Sequence, residues 1–423
     1  MLSLAYLREQ KDDVINRLAK KNFKNIHVVD EVLEADQKRR KIQKELDETL
    51  SKSNNLAKQI GQLFKEGKRD EADNLKNETA SLKEQTRVLQ EDLQTTEKQL
   101  HDLIITLPNL PHNSVPAGKT PEDNETIHQN GETDFLPENA LPHWELAAKY
   151  DLIDFELGNK ISGAGFPVYK GKGAKLQRAL INYFLDQAEK QGYKEFEVPI
   201  LVNEDSGYGT GQLPDKEGQM YHVGVDNLYL IPTAEVPLTN LYRNVILKGE
   251  DFPVKMTGYT PCFRREAGSY GKDVRGLNRL HQFDKVEIVQ LQHPDKSYET
   301  LEQMKDYVSG LIEKLGLPYR ILRLCGGDMS FASALTYDME VFSAAQKKWL
   351  EVSSVSNFET FQANRLKLRF KDKNGDTKIA HTLNGSALAL PRIVASILEN
   401  YQTEDGINIP EVLQPYTGFS KIS

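Results

Sequence analysis

The strongest constraint on the fold is a long stretch without helix-breaking residues. Residues from about 30 to 105 contain no proline and only two glycines, Gly61 and Gly67. In the second half of this stretch, apolar residues and threonines recur at alternating spacings of three and four, which places them along one side of a helix. The first half repeats the pattern more weakly. The two sets are Ile42, Leu46, Leu56, Ile60 and Leu63, and Ala72, Leu75, Thr79, Leu82, Thr86, Leu89, Leu93, Thr96, Leu100 and Leu103.

The polar segment FKEGKRDEA, which contains Gly67, separates the two patterns. Because it interrupts the apolar face, this segment predicts a tight turn between two helices. We therefore predict an antiparallel coiled-coil hairpin over about 30–105, whose arms of about 30 to 35 residues each extend roughly 45–50 Å at 1.5 Å per residue. A hairpin of this kind could serve simply as a dimerisation rod.

A basic cluster favours a second role for the hairpin. The segment DQKRRKIQK places several cations within two helical turns, ahead of the regular pattern. A run of charge is commonly just the solvated face of a helix, but it is also what a phosphate backbone requires. The cations are Lys38, Arg39, Arg40, Lys41 and Lys44.

The composition limits the remaining functional classes. The formal net charge of −8 argues against indiscriminate coating of nucleic acid, although a local basic stripe can still bind it. The two cysteines, Cys262 and Cys325, lie far apart and form no CxxC pair, so we expect neither a disulfide framework nor a zinc site. We find no signal peptide and no run of about 18 apolar residues, and we therefore expect a cytoplasmic protein without a membrane span.

A change of composition marks a domain boundary. Residues 107–132 are rich in proline, asparagine and glycine and are predicted to form a linker between domains at 1–106 and 133–423. After the linker, an amphipathic helix over 174–192 is followed by short β-rich runs and helices without regular βαβ alternation. This pattern predicts an α+β fold with a mostly antiparallel sheet flanked by helices.

The segment FRREAGSYGKDVRGLNRLHQFDKVEIV, from Phe263 to Val289, concentrates charge in two arms joined by a glycine-rich loop. Because side chains alternate along a strand, each arm is predicted to present one polar face. The combined surface is either a salt-bridged outer face of a sheet or a nucleotide site, where arginines hold phosphates and an aromatic ring stacks on a purine. The outgoing face has Arg264 and Glu266, and the returning face has Arg279, His281, Phe283, Lys285 and Glu287.

A further arginine is predicted at the start of a helix. In NGSALALPRIVASILENYQ, Pro391 fits the first helical turn, so Arg392 lies near the positive end of the helix dipole. That position disfavours a cation by a few tenths to about 1 kcal/mol, which either a ligand phosphate or a local salt bridge would offset. The predicted buried stripe of this helix is Ile393, Val394, Ile397, Leu398 and Tyr401.

Together these motifs resemble those of the seryl-tRNA synthetases, a family of class II aminoacyl-tRNA synthetases. FRRE…RGLNRLHQF is similar to motif 2, NGSALALPR to motif 3, and EVPILV to the dimer-interface motif 1. GTGQLP, LIPTAEVPLTN, TYDMEVF and the N-terminal hairpin resemble segments characteristic of the serine enzymes. Motif 2 alone indicates only the class, whereas the combination runs nearly end to end and is specific to the serine enzymes.

The resemblance implies a two-step reaction. Serine and ATP form seryl-adenylate and pyrophosphate, and serine then passes to the terminal adenosine of tRNA(Ser), with tRNA(Sec) as a second candidate acceptor. It also implies a homodimer, Mg²⁺ bound with ATP, and a hairpin that contacts the long variable arm of the tRNA. Arg39, Arg40, Lys41 and Lys44 are the implied tRNA contacts.

The resemblance also assigns roles to matching residues. Arg264 is implied to hold the α-phosphate and the serine carboxylate, Glu266 to contact adenine, and Phe283 to stack on it. Arg279 and Arg392 are implied to hold the outer phosphates. The implied catalytic residues are Arg264, Glu266 and Arg392. The implied ATP-binding residues are Arg264, Arg265, Glu266, Arg279, Phe283, Glu351, Val352, Ser353, Ser354 and Arg392, with Glu351 and Ser354 as the magnesium ligands. The implied serine-binding residues are Thr233, Ala234, Glu235, Arg264, Glu287 and Ser386.

Two positions depart from a simple match. Strict strand alternation puts Glu351 on the face of Ser353 rather than Ser354, so the implied magnesium site requires a β-bulge or a strand end. Leu335 lies where the family usually carries a lysine or a similar polar residue.

Two other functions also remain open. One is a class II relative that loads an adenylated amino acid onto a non-tRNA acceptor, which would not need the hairpin. The other is an inactive coiled-coil scaffold, against which the intact charged motifs argue.

Overall fold

The structure is a computed structural model in which the chain forms two compact units. The first unit consists of residues 1–19 and 23–108, and the second of residues 20–22 and 109–423. The glycine-rich loop predicted between the two arms of the 263–289 segment lies largely outside the described residues. The described residues are 1–133, 136, 139–215, 217–267 and 275–423.

The first unit is helical. Two short helices precede two long ones, which pack along each other and are joined by a short turn. Gly67 in this turn has a φ of +79°, a left-handed conformation that glycine adopts without steric cost. The helices are α1 (Leu4–Glu9), α2 (Lys11–Lys20), α3 (Val28–Lys65) and α4 (Arg69–Ile104).

The predicted apolar seam holds α3 and α4 together. Ile42 and Leu46 of α3 cluster with Leu89 and Leu93 of α4, and every predicted seam residue is buried or half-buried. Two seam threonines, Thr79 and Thr86, fit because each hydroxyl group donates to the carbonyl oxygen four residues earlier in its own helix at 2.8 Å. The predicted antiparallel coiled-coil hairpin is confirmed.

The second unit is built on an eight-stranded sheet that is antiparallel except at one edge. This architecture confirms the predicted α+β fold. In spatial order the strands are β1 (Glu125–Asn130), β11 (Tyr319–Arg323), β12 (Leu335–Ser343), β13 (Lys348–Asn357), β16 (His381–Ala389), β10 (Gln282–Gln292), β9 (Val254–Phe263) and β4 (Lys194–Glu195).

Shorter strands and nine helices complete the second unit, counted over its described residues. The smaller sheets pair β2 (Ile153–Asp154) with β3 (Val168–Tyr169); β5 (Leu201–Asn203) with β7 (Leu228–Leu230) and β6 (His222–Val223); β8 (Ile246–Lys248) with β14 (Arg369–Lys371) and β15 (Thr377–Ile379); and β17 (Gln402–Thr403) with β18 (Gly406–Asn408) and β19 (Lys421–Ile422). The helices are α5 (His143–Lys149), α6 (Phe155–Ile161), α7 (Gly171–Lys190), α8 (Glu204–Thr210), α9 (Glu235–Asn240), α10 (Ser297–Lys314), α11 (Thr360–Leu366), α12 (Leu390–Asn400) and α13 (Gln414–Thr417).

The main core forms where helices α7, α10 and α12 pack against the large sheet. Leu180, Leu301 and Ile397 from these helices are fully buried in one cluster with Val286 and Met339 of the sheet. Burial of apolar surface contributes about 25 cal/mol per Å², so this cluster is the main stabilising contact of the unit. The stripe predicted for α12 is buried as expected, with Tyr401 half-buried at its end.

One edge of the sheet was not anticipated. Residues 125–130, within the predicted linker, form β1 and pair with β11, although all six residues are exposed. An edge strand is held by backbone hydrogen bonds, so its polar sequence shows no apolar alternation. No helix in the described ranges is long and apolar enough to cross a lipid bilayer.

The seam predicts a large difference between two adjacent side chains. Leu89→Ala removes a buried seam residue and should lower the free energy of unfolding of the hairpin by about 2–3 kcal/mol. Val88→Ala removes an exposed neighbour on the same helix and should change it by less than about 0.5 kcal/mol. Urea unfolding followed by helical circular dichroism measures both values. Equal effects of the two substitutions would show that the seam does not hold the hairpin.

Candidate active site

The first part of the site lies where β9 and β10 end beside each other. The backbone N–H of Arg264 donates to the carbonyl of His281 at 2.9 Å, which extends the pairing beyond Phe263. This register places the Arg264 guanidinium 5.2 Å from the centre of the Phe283 ring. Such a contact contributes about 0.5–1 kcal/mol at an exposed position. The pair therefore offers a cation for a phosphate next to a ring face for a base.

A second pair lies just beyond the strand. Glu266 Oε2 accepts a hydrogen bond from Arg279 Nη1 at 3.2 Å. Glu266 has a φ of +48°, and β9 has already ended at Phe263, so strand alternation does not orient Glu266 as the sequence analysis assumed. The intervening Arg265 is held by its backbone N–H, which donates to the carbonyl of Gln219 at 2.8 Å.

Arg392 lies in the first turn of α12, as predicted. Its Nη1 donates to the backbone carbonyl of Glu351 at 2.6 Å and lies 3.6 Å from Oε2 of the same residue. Its Nε donates to the carbonyl of Asn278 at 3.2 Å. The local salt bridge that the sequence left open is therefore formed and offsets the unfavourable helix dipole. A guanidinium has five N–H donors, and these contacts use only some of them.

A bulge in β13 decides which acidic side chains meet. Val352 is an extra residue relative to β12, and the pairing register shifts across it. Because directly opposed residues point to the same face, the bulge brings Glu351 and Ser354 to one face of the sheet. Strict alternation would have separated them. The opposed pairs are Asp338 with Ser354, Met339 with Ser353, and Glu340 with Glu351.

Asp338 adds a carboxylate to this face. Its Oδ1 is buried and has no hydrogen-bond partner among the described residues. Burial, and then the Glu351 carboxylate, raise the pKa of Asp338 well above its ordinary value. Carboxylate and hydroxyl oxygens are ligands that Mg²⁺ prefers, usually together with substrate phosphates, so the donor set fits this ion. Over the described ranges, no group of three or more His, Cys, Asp or Glu side chains is arranged to hold a metal on its own.

Glu287 on β10 is the centre of a buried polar pocket. Its side chain is only 1% exposed, and its Oε2 lies 2.5 Å from Lys285 Nζ and accepts from Thr233 Oγ1 at 3.1 Å. Its Oε1 is buried without a hydrogen-bond partner in the part of the chain that the structure describes. Ser386 lies directly opposite on β16. Burial raises the pKa of Glu287, although Lys285 opposes the shift. The pocket thus retains one buried acceptor for a ligand.

A second carboxylate, Glu235 at the start of α9, lies close to Glu287. Its Oε1 accepts from Gln362 Nε2 at 2.6 Å, and Gln362 Oε1 in turn accepts from Thr382 Oγ1 at 2.6 Å. Burial, and then the Glu287 charge, raise the pKa of Glu235 to about 7. Lys285 and Arg264 oppose these shifts as cationic neighbours of both carboxylates. The two buried carboxylates offer acceptors for an ammonium or a hydroxyl group of a ligand.

Some predicted site residues point their side chains elsewhere. Ala234 is fully buried in a separate apolar cluster, and Val352 lies in the main core. Ser353 Oγ donates to the carbonyl of Ser386 at 2.6 Å. These residues could reach a ligand only through backbone atoms. Leu335, at the position that is usually polar in the family, is 3% exposed within the main core, so it serves packing.

Three residues of these sites have no predicted role. Lys285 lies on the predicted strand face, and its spacing from Glu287 could have indicated an ion pair. Asp338 stands in the quoted TYDMEVF segment without an assignment. Gln362 lies on α11, far along the chain and outside every motif, so no local signal could have found it.

The residues predicted to contact tRNA lie on α3 of the first unit. Arg40, Lys41 and Lys44 are exposed. Arg39 instead donates to Asp36 Oδ1 at 3.0 Å, and Asp36 is a buried carboxylate that also accepts from Arg8 at 2.7 Å. Arg39 is therefore held by a buried carboxylate, whereas Lys44 Nζ lies 3.9 Å from the exposed carboxylate of Glu48.

Comparison with known proteins accounts for the whole chain. The model of the seryl-tRNA synthetase N-terminal domain matches residues 1–111, and that of the tRNA synthetase class II core domain (G, H, P, S and T) matches residues 221–401. A curated serine–tRNA ligase from Salinibacter ruber is 50% identical over 424 residues, which covers 100% of this chain and 99% of the relative. The chain belongs to the seryl-tRNA synthetase family.

Other members of the seryl-tRNA synthetase family agree in extent and fold. A serine–tRNA ligase from Hydrogenobaculum sp. is 46% identical and covers 98% of this chain and 99% of its own. The crystal structure of Pyrococcus horikoshii seryl-tRNA synthetase complexed with ATP has a TM-score of 0.92 at 34% identity and covers 100% and 99% of the two chains. Giardia lamblia prolyl-tRNA synthetase, at 14% identity and a TM-score of 0.56 over 64% of this chain and 55% of its own, shows only a shared fold.

Glu235 predicts a pH dependence of stability. Its pKa of about 7 in the folded protein lies above the ordinary value of 4.5, so the folded state binds more protons between these values. The stability contributed by this group is therefore fully present below about pH 4.5 and is lost as the pH rises through 7. The free energy of unfolding of wild type should therefore fall, relative to that of Glu235→Gln, as the pH rises from about 5 to about 8. The difference between the two proteins should change by about 2–3 kcal/mol over this range, in favour of Glu235→Gln.

Urea unfolding at the two pH values measures this gain. The matched control is Glu250→Gln, which changes an exposed carboxylate of the same unit and should show no pH-dependent difference from wild type. A parallel pH dependence of wild type and Glu235→Gln would contradict the assignment.

Proposed function

We propose that the chain attaches L-serine to tRNA(Ser) in an ATP-dependent reaction that passes through seryl-adenylate and releases AMP and pyrophosphate. The observation that carries the proposal is the buried Oε1 of Glu287, which has no hydrogen-bond partner among the described residues and lies near the buried carboxylate of Glu235. Together with membership of the seryl-tRNA synthetase family, it supports binding of a small amino acid through ammonium and hydroxyl groups.

In the first step, the sheet positions both substrates. The serine carboxylate attacks the α-phosphorus of ATP, and the bond to pyrophosphate breaks as the new phosphorus–oxygen bond forms. Arg264 holds the α-phosphate and the serine carboxylate, while Phe283 stacks on adenine and Glu266 contacts its edge. Arg279 and Arg392 hold the outer phosphates. Alignment of this kind supplies roughly 7–11 kcal/mol, so no covalent catalyst is needed.

Charge on the leaving pyrophosphate requires a counterion. Mg²⁺ would supply it by neutralising phosphate oxygens. Glu351 and Ser354 would hold the ion, and the bulge at Val352, which brings both side chains to one face, supports this assignment. Asp338 lies on the strand opposite, and its Oδ1, which has no hydrogen-bond partner in the described ranges, adds a further acceptor at the same face.

Glu287 would also distinguish serine from alanine. When serine is bound, its hydroxyl group donates to the carboxylate. When alanine enters, the Oε1 of Glu287 stays buried and unpaired, which costs more than the absence of one favourable contact. Thr233, Glu235 and Ser386 complete the pocket. Discrimination by an unpaired polar group can be large without an editing site.

The alternatives are less well supported. An enzyme that loads a non-tRNA acceptor would have no use for the domain that matches residues 1–111. An inactive scaffold would have no reason to keep a buried carboxylate with an unpaired oxygen, since such a group destabilises the fold. The proposed reaction accounts for both features.

We also propose a division of labour along the chain. Residues 1–106 would bind the tRNA through the coiled-coil hairpin, 107–132 would connect the domains, and 133–423 would carry out catalysis. The exposed cations Arg40, Lys41 and Lys44 on α3 support the first assignment, because phosphate contacts dominate affinity for nucleic acids.

The active form is proposed to be a cytoplasmic homodimer. Leu201 in the segment that resembles motif 1 is 40% exposed, which suits an interface between copies. Sedimentation equilibrium of the full chain should give the mass of two chains. A single-chain mass at micromolar concentration would contradict the dimer.

The proposed reaction predicts pyrophosphate exchange into ATP with serine and with no other amino acid, in the absence of tRNA. Glu287→Gln should lower kcat/KM for serine in this assay by roughly 10²-fold or more, because the acceptor charge is lost. Glu250→Gln serves as the exposed control and should leave kcat/KM unchanged. Absence of exchange in folded protein would favour the scaffold, and exchange without charging of tRNA(Ser) would favour another acceptor.

If the hairpin binds the tRNA, substitutions there should weaken aminoacylation of tRNA(Ser) without affecting ATP–pyrophosphate exchange. The double variant Arg40→Ala/Lys41→Ala should raise KM for tRNA(Ser) about tenfold and reduce its salt dependence, because each lost phosphate contact lowers the salt slope by about 0.7–0.9. Exchange with serine should stay at the wild-type rate.

The matched control is Arg87→Ala on α4, an exposed arginine already paired with Glu84 and Glu91 at 2.6 Å each. We expect this variant to keep the wild-type KM for tRNA(Ser). Parallel loss of charging and exchange in the double variant would contradict the hairpin assignment.

A further inference from the structure

The helix that carries Arg392 also carries a buried carboxylate without a role in the proposed reaction. Glu399 lies seven residues after Arg392 on α12, close to two helical turns, so the two side chains project from the same side of the helix. Glu399 is fully buried. A buried carboxylate is tolerated only where other groups hydrogen-bond it, so its partners indicate what it serves.

The partners of Glu399 come from two other parts of the second unit. Its Oε1 accepts from the backbone N–H of His143 at 3.0 Å, from His143 Nδ1 at 2.7 Å, and from Gln346 Nε2 at 3.3 Å. Ser343 Oγ donates to its Oε2. Although burial opposes the shift, hydrogen bonding from His143 lowers the pKa of Glu399. Glu399 is thus an ionised anchor that joins α12 to α5 and to the turn after β12.

These bonds fix the protonation pattern of His143. Nδ1–H donates a hydrogen bond to Glu399, so the neutral ring carries its proton on Nδ1. The unprotonated Nε2 accepts a hydrogen bond from the backbone N–H of Leu277 at 2.8 Å. His143 is itself fully buried. The imidazole therefore connects Glu399 to the backbone two residues before Arg279.

The chain around Leu277 is closely docked on α5. A side chain at Gly276 would come within 2.3 Å of His143 Nε2, and Gly276 has a φ of +68°. The guanidinium of Arg275 lies 4.8 Å from the centre of the Trp144 ring. The segment 275–278 is thus held by a hydrogen bond, by close packing and by a cation–π contact.

Asn278, the last residue of this segment, links it to the start of α12. The carbonyl of Asn278 accepts from Arg392 Nε at 3.2 Å, and its side chain donates to Gln346 Oε1 at 2.9 Å. Gln346 also donates to Glu399. Hydrogen bonds therefore connect Glu399 near the end of α12, through Gln346 and Asn278, to Arg392 at its start. Displacement of this segment would move Arg279 and release Arg392.

We propose that His143, anchored by Glu399, is a positioning residue for the two arginines that hold the outer phosphates of ATP, Arg279 and Arg392. The inference rests on the proposed function and deepens it, since His143 touches no reacting atom. It holds the Leu277 backbone, and Asn278 transmits that position to both arginines. Outer groups of this kind orient ligand-binding side chains, and a displacement of about 1 Å can cost 10²-fold in rate.

Two near-isosteric substitutions separate the roles of the two ring nitrogens. His143→Asn keeps a donor at the place of Nδ1 and loses the acceptor for Leu277. His143→Gln places an amide oxygen at the position of Nε2 and keeps that acceptor. In pyrophosphate exchange, His143→Asn should raise KM for ATP about tenfold with KM for serine unchanged, whereas His143→Gln should stay within about threefold of wild type.

Gly276→Ala tests the same contact from the other side. It leaves the Glu399–His143 pair intact but forces the 275–278 segment away, so it should also raise KM for ATP about tenfold. If His143→Asn does not fold, the KM of Gly276→Ala for ATP tests the proposal instead. Tyr401→Phe is the control, since it deletes a 2.7 Å hydrogen bond from the end of α12 to Leu315. That variant should lower Tm and leave KM for ATP unchanged.

A purely structural role for His143 would make His143→Asn and Gly276→Ala behave like Tyr401→Phe, with a lower Tm at an unchanged KM for ATP. That result, or equal increases of KM in His143→Asn and His143→Gln, would overturn the inference. Wild-type exchange with serine tests the proposed function separately. Absence of exchange in the wild-type protein would contradict the proposed function itself. Normal wild-type exchange, together with an unchanged KM for ATP in the variants, would contradict only the role of His143.

Discussion

Burial of Glu287 is the constraint on which the arrangement of the second unit depends. A carboxylate inside a sheet loses its hydration and is tolerated only where charged and hydrogen-bonding groups replace the water. Lys285 provides the charge from the same strand face, and Thr233 provides a hydroxyl group from the loop before α9. The remaining oxygen has no partner in the described part of the chain. A substrate that donates to this oxygen regains a hydrogen bond that the folded protein lacks, which couples the stability of the pocket to ligand binding.

The other buried acids of the unit are compensated in different ways, and the difference separates anchors from binding groups. Glu399 receives donors from His143, Gln346 and Ser343, and its pKa is lowered, so it serves to hold elements together. Glu235 has an amide partner and a carboxylate neighbour, and its pKa rises to about 7. Asp338 has a buried oxygen with no hydrogen-bond partner among the residues that the structure describes. Among the described carboxylates, the two with an unpaired buried oxygen, Glu287 and Asp338, lie where the proposed reaction needs acceptors, as expected where function outweighs local stability.

Much of the architecture could be predicted from local sequence patterns. The spacing of seam residues between Ile42 and Leu103 predicts the hairpin because helical periodicity acts within a few residues. Pro391 and the apolar stripe after it predict α12 for the same reason. The motifs around Arg264 and Arg392 indicated the family, and the alternation of β10 put Lys285 and Glu287 on one face. The polar edge strand β1 escaped prediction because backbone pairing with β11, and no side-chain pattern, holds it in the sheet.

The sequence by itself determined the helical hairpin, the mixed second unit and the residue types of the site, since propensity, periodicity and motif spacing are local properties of the chain. Only the tertiary structure decided which of these residues meet. The bulge at Val352 joins Glu351 to Ser354, the left-handed backbone at Glu266 directs its carboxylate to Arg279, and Asp36 engages Arg39. Gln362 reaches Glu235 from a helix 127 residues further along the chain. Pairing register and long-range packing set these contacts, and neither leaves a periodic signal in the sequence.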